Sequence, residues 1–237
     1  VRIDFGTTKS IVIAYTSADG TFTTVFMSNP QRAGMSIVTA TGLNTQHSYE
    51  RFFGVSAKIS QITPTHGTVG TVITVIGDGF GGEEMVRINF GSTQTITQIQ
   101  ANIAGTFSVG FTVNTQGFGT TTVTAYGLES KQQPAKVFNI EPQVVSVEPT
   151  SGTVGTVVTI LCTGYAIGET VNVAFGTNAS IQQAAAGTYG SFTTSFTIDV
   201  QGFGTTTITA SGATTIGVSV ATNVFSIQPQ VVSVEPT

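Results

Sequence analysis

The sequence predicts an all-β protein made of tandem two-sheet sandwiches, about 85 residues to a repeat, arranged as a rod. Three observations predict it. One long pattern recurs at a fixed spacing, apolar and polar residues alternate with a period of two inside it, and Gly, Asn and Pro punctuate the alternating runs.

The spacing is fixed by VRIDFGT at Val1, VRINFGS at Val86 and VNVAFGT at Val171, 85 residues apart each time. Gln116-Gly117-Phe118-Gly119-Thr120 returns as Gln201-Gly202-Phe203-Gly204-Thr205, and Gln31 to Ala40 is a diverged copy. Pro64-Thr65-His66-Gly67-Thr68-Val69-Gly70-Thr71 returns as Pro149-Thr150-Ser151-Gly152-Thr153-Val154-Gly155-Thr156, and Val231 to Thr237 repeats Val144 to Thr150. Phe138 and Phe225 are 87 apart, so two residues are inserted between about Ser211 and Phe225, where a loop is expected. The partition is an incomplete repeat over 1–57, full repeats over 58–142 and 143–229, and the first strand of another over 230–237. A period this long describes separate domains in tandem, since solenoid repeats of roughly 20–50 residues share one continuous core.

Phe107, Val109, Phe111 and Val113 share one face of a strand over Thr106 to Val113, repeated by Phe192, Phe196 and Ile198 and by Phe22 and Phe26. Gly119 to Tyr126 turns Val123 and Ala125 inward and its threonines outward. Further strands are predicted at Ser60 to Thr63, Thr71 to Ile76, Met85 to Gly91, Thr95 to Gln100 and Ala135 to Ile140. Some seven strands per repeat, with regular turn signals, indicate an antiparallel sandwich of immunoglobulin type, without its cysteine pair or tryptophan. Phe5, Phe90 and Phe175 recur in one strand and Phe53, Phe138 and Phe225 in another, as core residues. The connections Ile140-Glu141-Pro142-Gln143-Val144 and Ile227-Gln228-Pro229-Gln230-Val231 are short, with proline limiting rotation, and predict semi-rigid joints.

Ile62-Thr63-Pro64-Thr65, then Gly67, Gly70-Thr71, a strand and Gly77-Asp78-Gly79-Phe80, resembles the opening of IPT/TIG domains. The next copy supplies Pro149, Gly152, Gly155-Thr156 and Gly164-Tyr165, with Cys162 in place of the first glycine of the last element. The resemblance implies an immunoglobulin-like fold of the kind found in cell-surface receptors, prokaryotic surface proteins and modular enzymes. DNA-binding relatives exist, and this acidic chain is unlike them.

Composition narrows the function. Eight Lys and Arg against twelve Asp and Glu give a net charge of −4, which offers phosphates no basic surface, so nucleic acid is excluded as a partner. No apolar run approaches about 20 residues, so membrane insertion by a helix is not predicted, and no signal peptide opens the segment. Cys162 stands alone, which rules out an intrachain disulfide. It occupies the position of Gly77 and reads as a small packed residue rather than a nucleophile. With only two histidines, His47 and His66, each in one repeat, neither a catalytic triad nor a zinc site is indicated; no enzymatic activity and no cofactor are expected.

Four candidate sites remain. VRIDFGTTKS resembles the phosphate-binding turn of ATPases of the actin and chaperone type, but Asp4 becomes Asn89 and Ala174 in the other copies, which a motif built on an essential carboxylate does not tolerate. Asp78, Glu83 and Glu84 lie in a Gly-rich turn and form a weak metal candidate for Ca²⁺; only Glu84 has an acidic counterpart, Glu169, and a solvated loop is the favoured reading. Asn178-Ala179-Ser180 is a sequon, making Asn178 the glycosylation candidate. Val231, Val232 and Val234 form the candidate assembly strand: a missing first strand at one end and a spare one at the other would let one subunit complete the next, although a window on a longer chain is the simpler reading.

The expected function is that of a structural repeat module in an extracellular, cell-surface prokaryotic filament, fibre or stalk. Its partners are copies of itself or adjacent repeats of the same longer chain, with glycans as a further expectation. The alternative is an adhesin or receptor ectodomain, or the spacer of a surface carbohydrate-active protein; loops that differ between repeats (Thr41 to Arg51, Leu128 to Pro134, Ala213 to Thr222) are where its binding site would lie.

Overall fold

The computed structural model describes residues 1–215 and 221–231; among them every regular element is a strand. No helix there is long and apolar enough to cross a membrane. The chain divides into two compact units, one of residues 1–63, 73–111 and 122–136, the other of residues 64–72, 112–121 and 137–237.

The first unit opens with β1 (Arg2–Phe5), β2 (Thr8–Ile13), β3 (Gly34–Thr41) and β4 (Ser48–Val55) in a single sheet ordered β2-β1-β3-β4. Then come β5 (Lys58–Thr63), β6 (His66–Gly67), β7 (Val72–Asp78), β8 (Met85–Phe90), β9 (Thr93–Gln100), β10 (Phe107–Thr112), β11 (Gly119–Gly127) and β12 (Ala135–Ile140). Their sheets are ordered β10-β7-β5 and β6-β12-β11-β8-β9. Inward-facing Ile59, Ile73, Val75, Val86, Ile88, Phe90, Phe107, Phe111, Val123 and Ala125 are all buried. The order of β5 to β12, which both units share, is repeated within the second unit by β13 (Gln143–Glu148), β14 (Ser151–Gly152), β15 (Val157–Thr163), β16 (Thr170–Phe175), β17 (Asn178–Ala185), β18 (Phe192–Thr197), β19 (Gly204–Gly212) and β20 (Ala221–Ile227), as β13-β15-β18 and β14-β20-β19-β16-β17. A three-stranded sheet facing a five-stranded one, each with an apolar inner surface, is the immunoglobulin-like sandwich. The two-residue insertion falls between β19 and β20.

The recurrent Pro-Thr-x-Gly-Thr-Val-Gly-Thr stretch is the place where the first strand changes sheets. β13 pairs antiparallel with β15; after Pro149 and Thr150 the chain crosses over, and β14 pairs parallel with β20 (Ser151 with Ser226, Gly152 with Ile227). The turn that follows is locked by a side chain. Thr156 Oγ1 accepts from Thr153 N–H at 3.0 Å, and Thr71 Oγ1 accepts from Thr68 N–H at the same distance. Gly155 N–H then donates to Ile198 O and Gly70 N–H to Val113 O, both at 2.9 Å, stitching the turn to the end of the opposite strand. The repetition of this motif in the sequence is therefore the repetition of a backbone route.

Observed strands agree with the expected ones to within a few residues, except at residues 22–27, where no strand forms. A strand needs a ladder partner, and among the described residues none lies beside this segment. Phe26 nevertheless keeps its inward position, its ring 5.7 Å from that of Phe5, as Phe196 stands 5.4 Å from Phe175. Phe53 packs edge-on to Phe5 at 5.5 Å yet remains half exposed, since that sheet face has no opposite layer among the described residues.

Candidate functional site

Three polar features hold loops in at least two of the repeats each. The first is the acid of the nucleotide-like stretch. Asp4 is buried, and its Oδ1 accepts from Ser10 N–H at 2.7 Å while the Arg2 guanidinium stands 3.0 Å away and Lys9 3.5 Å away. Ser10 N–H, opposed by burial and assisted by Arg2 and Lys9, holds the carboxyl below the usual range. Asn89 does the same work without charge, its Oδ1 accepting from Thr95 N–H at 2.9 Å. Ser10 and Thr95 both have positive φ, 56° and 59°, so the side chain anchors an irregular hairpin whose register slips at the same place in β1–β2 and β8–β9. The carboxylate is spent on its own hairpin.

The second is the glutamine of Gln-Gly-Phe-Gly. Gln201 Oε1 accepts from the N–H and hydroxyl of Thr177 at 3.2 and 3.1 Å, and its amide donates to Asp199 Oδ1 at 2.8 Å. Gln31 bridges Thr7 N–H and Asn29 in the same way, and the Gln116 amide donates to Asn114 Oδ1 at 3.0 Å. This latch closes the Phe-Gly-Thr turn, and it places the sequon. Asn178 Nδ2, the atom a glycan would take, donates to Asp199 Oδ2 at 2.7 Å, while Ser180 N–H donates to Asn178 Oδ1. The Gln201 amide, against burial and together with Asn178, holds the Asp199 carboxyl below its ordinary range.

The third is Glu84, fully buried, whose carboxylate accepts from Glu129 N–H and Ser130 N–H at 2.9 Å, from the Ser130 hydroxyl at 2.7 Å and from Gly81 N–H. Burial alone would raise its pKa, but these four donors outweigh it and the carboxyl is held low. Glu169 repeats the arrangement with Ala166 N–H at 2.6 Å and Thr214 N–H at 2.8 Å. Of the calcium candidates, Glu84 is thus turned onto N–H and O–H donors, whose polarity suits an anion. Glu83 and Asp78 do not join it: among the described residues no three His, Cys, Asp or Glu side chains are grouped so as to hold a metal. Cys162 is fully buried in the same core cluster as Tyr165 and Phe192, and burial pushes its thiol up to about 12. Of the assembly strand, Val231 is described and exposed, while Val232 and Val234 lie outside the described residues.

A further constellation, without a side-chain signature in the sequence, joins successive repeats. Tyr165 N–H donates to Gly190 O at 2.9 Å inside its own sandwich, and Tyr165 O accepts from Phe118 N–H at 2.9 Å, reaching back to the preceding repeat. The other joint is the same one 85 residues earlier: Phe80 N–H donates to Gly105 O at 3.0 Å and Phe80 O accepts from Ala33 N–H at 2.7 Å. Each joint lies wholly within one compact unit. Glycine is required here. A Cβ on Gly190 would strike Tyr165 O and come within 2.8 Å of Gly117 Cα, and Gly105 is confined in the same way by Phe80 and Arg32. Gly79 and Gly164, just before the two aromatic residues, lie against the connecting backbone at Ser56 to Ala57 and Glu141 to Pro142. The Gly79-Phe80 and Gly164-Tyr165 pairs are therefore among the parts of this chain that touch the repeat before them.

The fold places the chain among immunoglobulin-like β-sandwich proteins. A family model of macroglobulin-like domains matches residues 55–140. Among solved structures, the chain is similar to the Yersinia pseudotuberculosis adhesin InvE (12% identity, 73% of this chain and 59% of that one, TM-score 0.31). It is also similar to the BSP domain of a biofilm-associated protein (12% identity, 90% and 45%, TM-score 0.27) and to Salmonella alpha-2-macroglobulin (10% identity, 82% and 19%, TM-score 0.31). The chain thus spans about three-fifths of the length of the first of these and less than half of the other two. No curated protein matches the sequence.

Proposed function

We propose that this chain is a structural module of an extracellular prokaryotic filament, fibre or stalk, in which IPT/TIG-type sandwiches follow one another in tandem. The observation that carries the reading is that the two joints are made by the same backbone atoms. An enzyme or receptor with one working site has no need to reproduce a connection; a chain that transmits force or sets a spacing does. In this reading the sandwiches resist unfolding through their ladders and buried Phe residues, the proline-bearing connections limit rotation, and the module has no catalytic role. The macroglobulin-like match over residues 55–140 is compatible with such a role, since it too describes a sandwich domain.

A second mode of assembly, strand addition, would use the edge of β4, whether the added strand came from another copy or from a longer run of this same chain. Gly54 and Val55 of β4 have no parallel partner among the described residues, whereas their equivalents Ser226 and Ile227 pair with β14. A groove of about 360 Å³ runs along them, lined by Phe5, Gln31, Phe53 and Gly79. An extended segment could add to such an edge through main-chain hydrogen bonds.

Electron microscopy of native material, with an antibody to this segment, tests the proposal. Labelled surface fibres with an axial repeat are expected, and density of a neighbour's strand against β4 would support strand addition. Label confined to isolated molecules bearing a distal head would overturn the filament reading in favour of an adhesin stalk.

A further inference from the structure

We infer that the surface around Gly202, Phe203 and Pro229 is a half-joint whose occupant is the Gly-aromatic turn of a further copy of this sandwich. Three positions carry the inference. Phe203 is the equivalent of Phe118 and of Ala33, the residues whose N–H groups are taken up by Tyr165 O and Phe80 O. At the occupied joint Phe118 is half-buried and Pro142 buried; at the equivalent surface Phe203 is 80% exposed and Pro229 exposed. Gln201, immediately before, is latched to Thr177 as Gln31 is to Thr7, so the Phe203 loop is held by the same polar bonds as a loop that docks.

What would fit is defined by what fits twice already. The occupant must present a backbone carbonyl to Phe203 N–H from a residue preceded by glycine, so that its backbone can lie against Gln228 and Pro229 as Gly164 lies against Glu141 and Pro142. It must also offer a second glycine with positive φ, the role of Gly190 at 66°, to let Gly202 approach as Gly117 does. That is the turn between the equivalents of β15 and β16, with the turn before the equivalent of β18. An apolar residue of the occupant would stand against Gly202 as Ile167 stands against Gly117. The identity of the partner rests on the tandem reading above; the assignment of Phe203 N–H as its anchor does not.

The test is site-resolved amide hydrogen exchange on the parent chain and on the chain extended after Thr237 with a copy of Ser151 to Pro229, which continues the repeat in sequence register. In the parent, Phe118 N–H should exchange roughly 100-fold more slowly than Phe203 N–H. Equal rates there would overturn the inference without any extension. In the extended chain Phe203 N–H should slow to the Phe118 level, and exchange unchanged beside a protected appended core would overturn it. Phe203→Ala in the extended chain should keep the slow amide, because Ala33 makes the same bond; its loss would show side-chain docking instead and reject the backbone assignment. A slowed Phe203 amide in a protein that forms no fibres on cells would uphold the half-joint and reject only the filament function.

Discussion

Replacing Glu84 with alanine tests whether the acidic turn is a structural anchor. The substitution leaves three backbone N–H groups (Gly81, Glu129, Ser130) and the Ser130 hydroxyl without their acceptor. Hydrogen bonds to a charged acceptor are worth about 1.5–3 kcal/mol each, but Glu129 is exposed and Ser130 only half-buried, so water replaces part of the loss. A net cost of about 3 kcal/mol is expected, a large share of the roughly 5–15 kcal/mol that holds a domain. Glu84→Gln should cost about 1–2 kcal/mol, because an amide can turn its oxygen toward only one set of donors and presents N–H to the other. The assay is denaturant unfolding followed by exchange at Gly81 and Ser130, so that the transition of this sandwich is read separately. Protection in Glu84→Ala within about threefold of the parent would refute the reasoning, since that corresponds to less than ~1 kcal/mol. The pH dependence carries the same sign. A carboxyl whose folded pKa is depressed contributes stability that is complete above its unfolded pKa, near 4.3, and is lost as pH falls through the folded value. The parent should therefore lose stability on acidification below about pH 4 more steeply than Glu84→Gln.

Other outcomes follow from named contacts. The Cys162 thiol, raised to about 12 by burial, should resist alkylation at pH 8 in the native protein and react fully on unfolding, read by intact mass. Gly77→Ala should destabilise by about 1–3 kcal/mol, because its Cβ would strike the Phe107 ring; denaturant midpoints will measure this. Gln201→Ala should cost about 1–2 kcal/mol and speed exchange of the Thr177 amide. Millimolar calcium should leave the melting temperature unchanged, as Glu84 is already satisfied; a rise of several degrees that Glu84→Ala abolishes would reinstate the cation site.

Much of the fold was legible because strand burial follows a period of two: Phe107 and Phe111, or Val123 and Ala125, declare their face without reference to anything distant. The strand expected at Phe22 and Phe26 did not form because alternation specifies a face, whereas a ladder needs a neighbour. The connection between repeats was legible as a short proline-bearing stretch, but the contacts that close the joint were not. Its hydrogen bonds run through the backbone of residues 33, 80, 118 and 165, and side chains as different as Ala33 and Phe118 serve equally, so only the recurring glycines at 79 and 164 and at 105 and 190 mark it, without declaring what they touch. Glu84 was visible as an acid in a Gly-rich turn, but its role depends on Ser130, 46 residues away, which only the fold brings near. The glutamine latch had a signal, recurrence of Gln31, Gln116 and Gln201 at one offset, whose meaning lies in the fold, where Gln31 and Gln201 each stand against their own Phe-Gly-Thr turn.

That both joints are closed by main-chain atoms has a consequence for how such a gene can change. A connection that asks for glycines at a few positions and nothing of most other surface residues is inherited whenever the coding unit is copied. Unequal recombination between neighbouring units would lengthen or shorten the array without any need to evolve a new interface, and each copy's outer strands and loops would be free to diverge. The contrast between a diverged first copy and two close later ones is what such a history leaves behind.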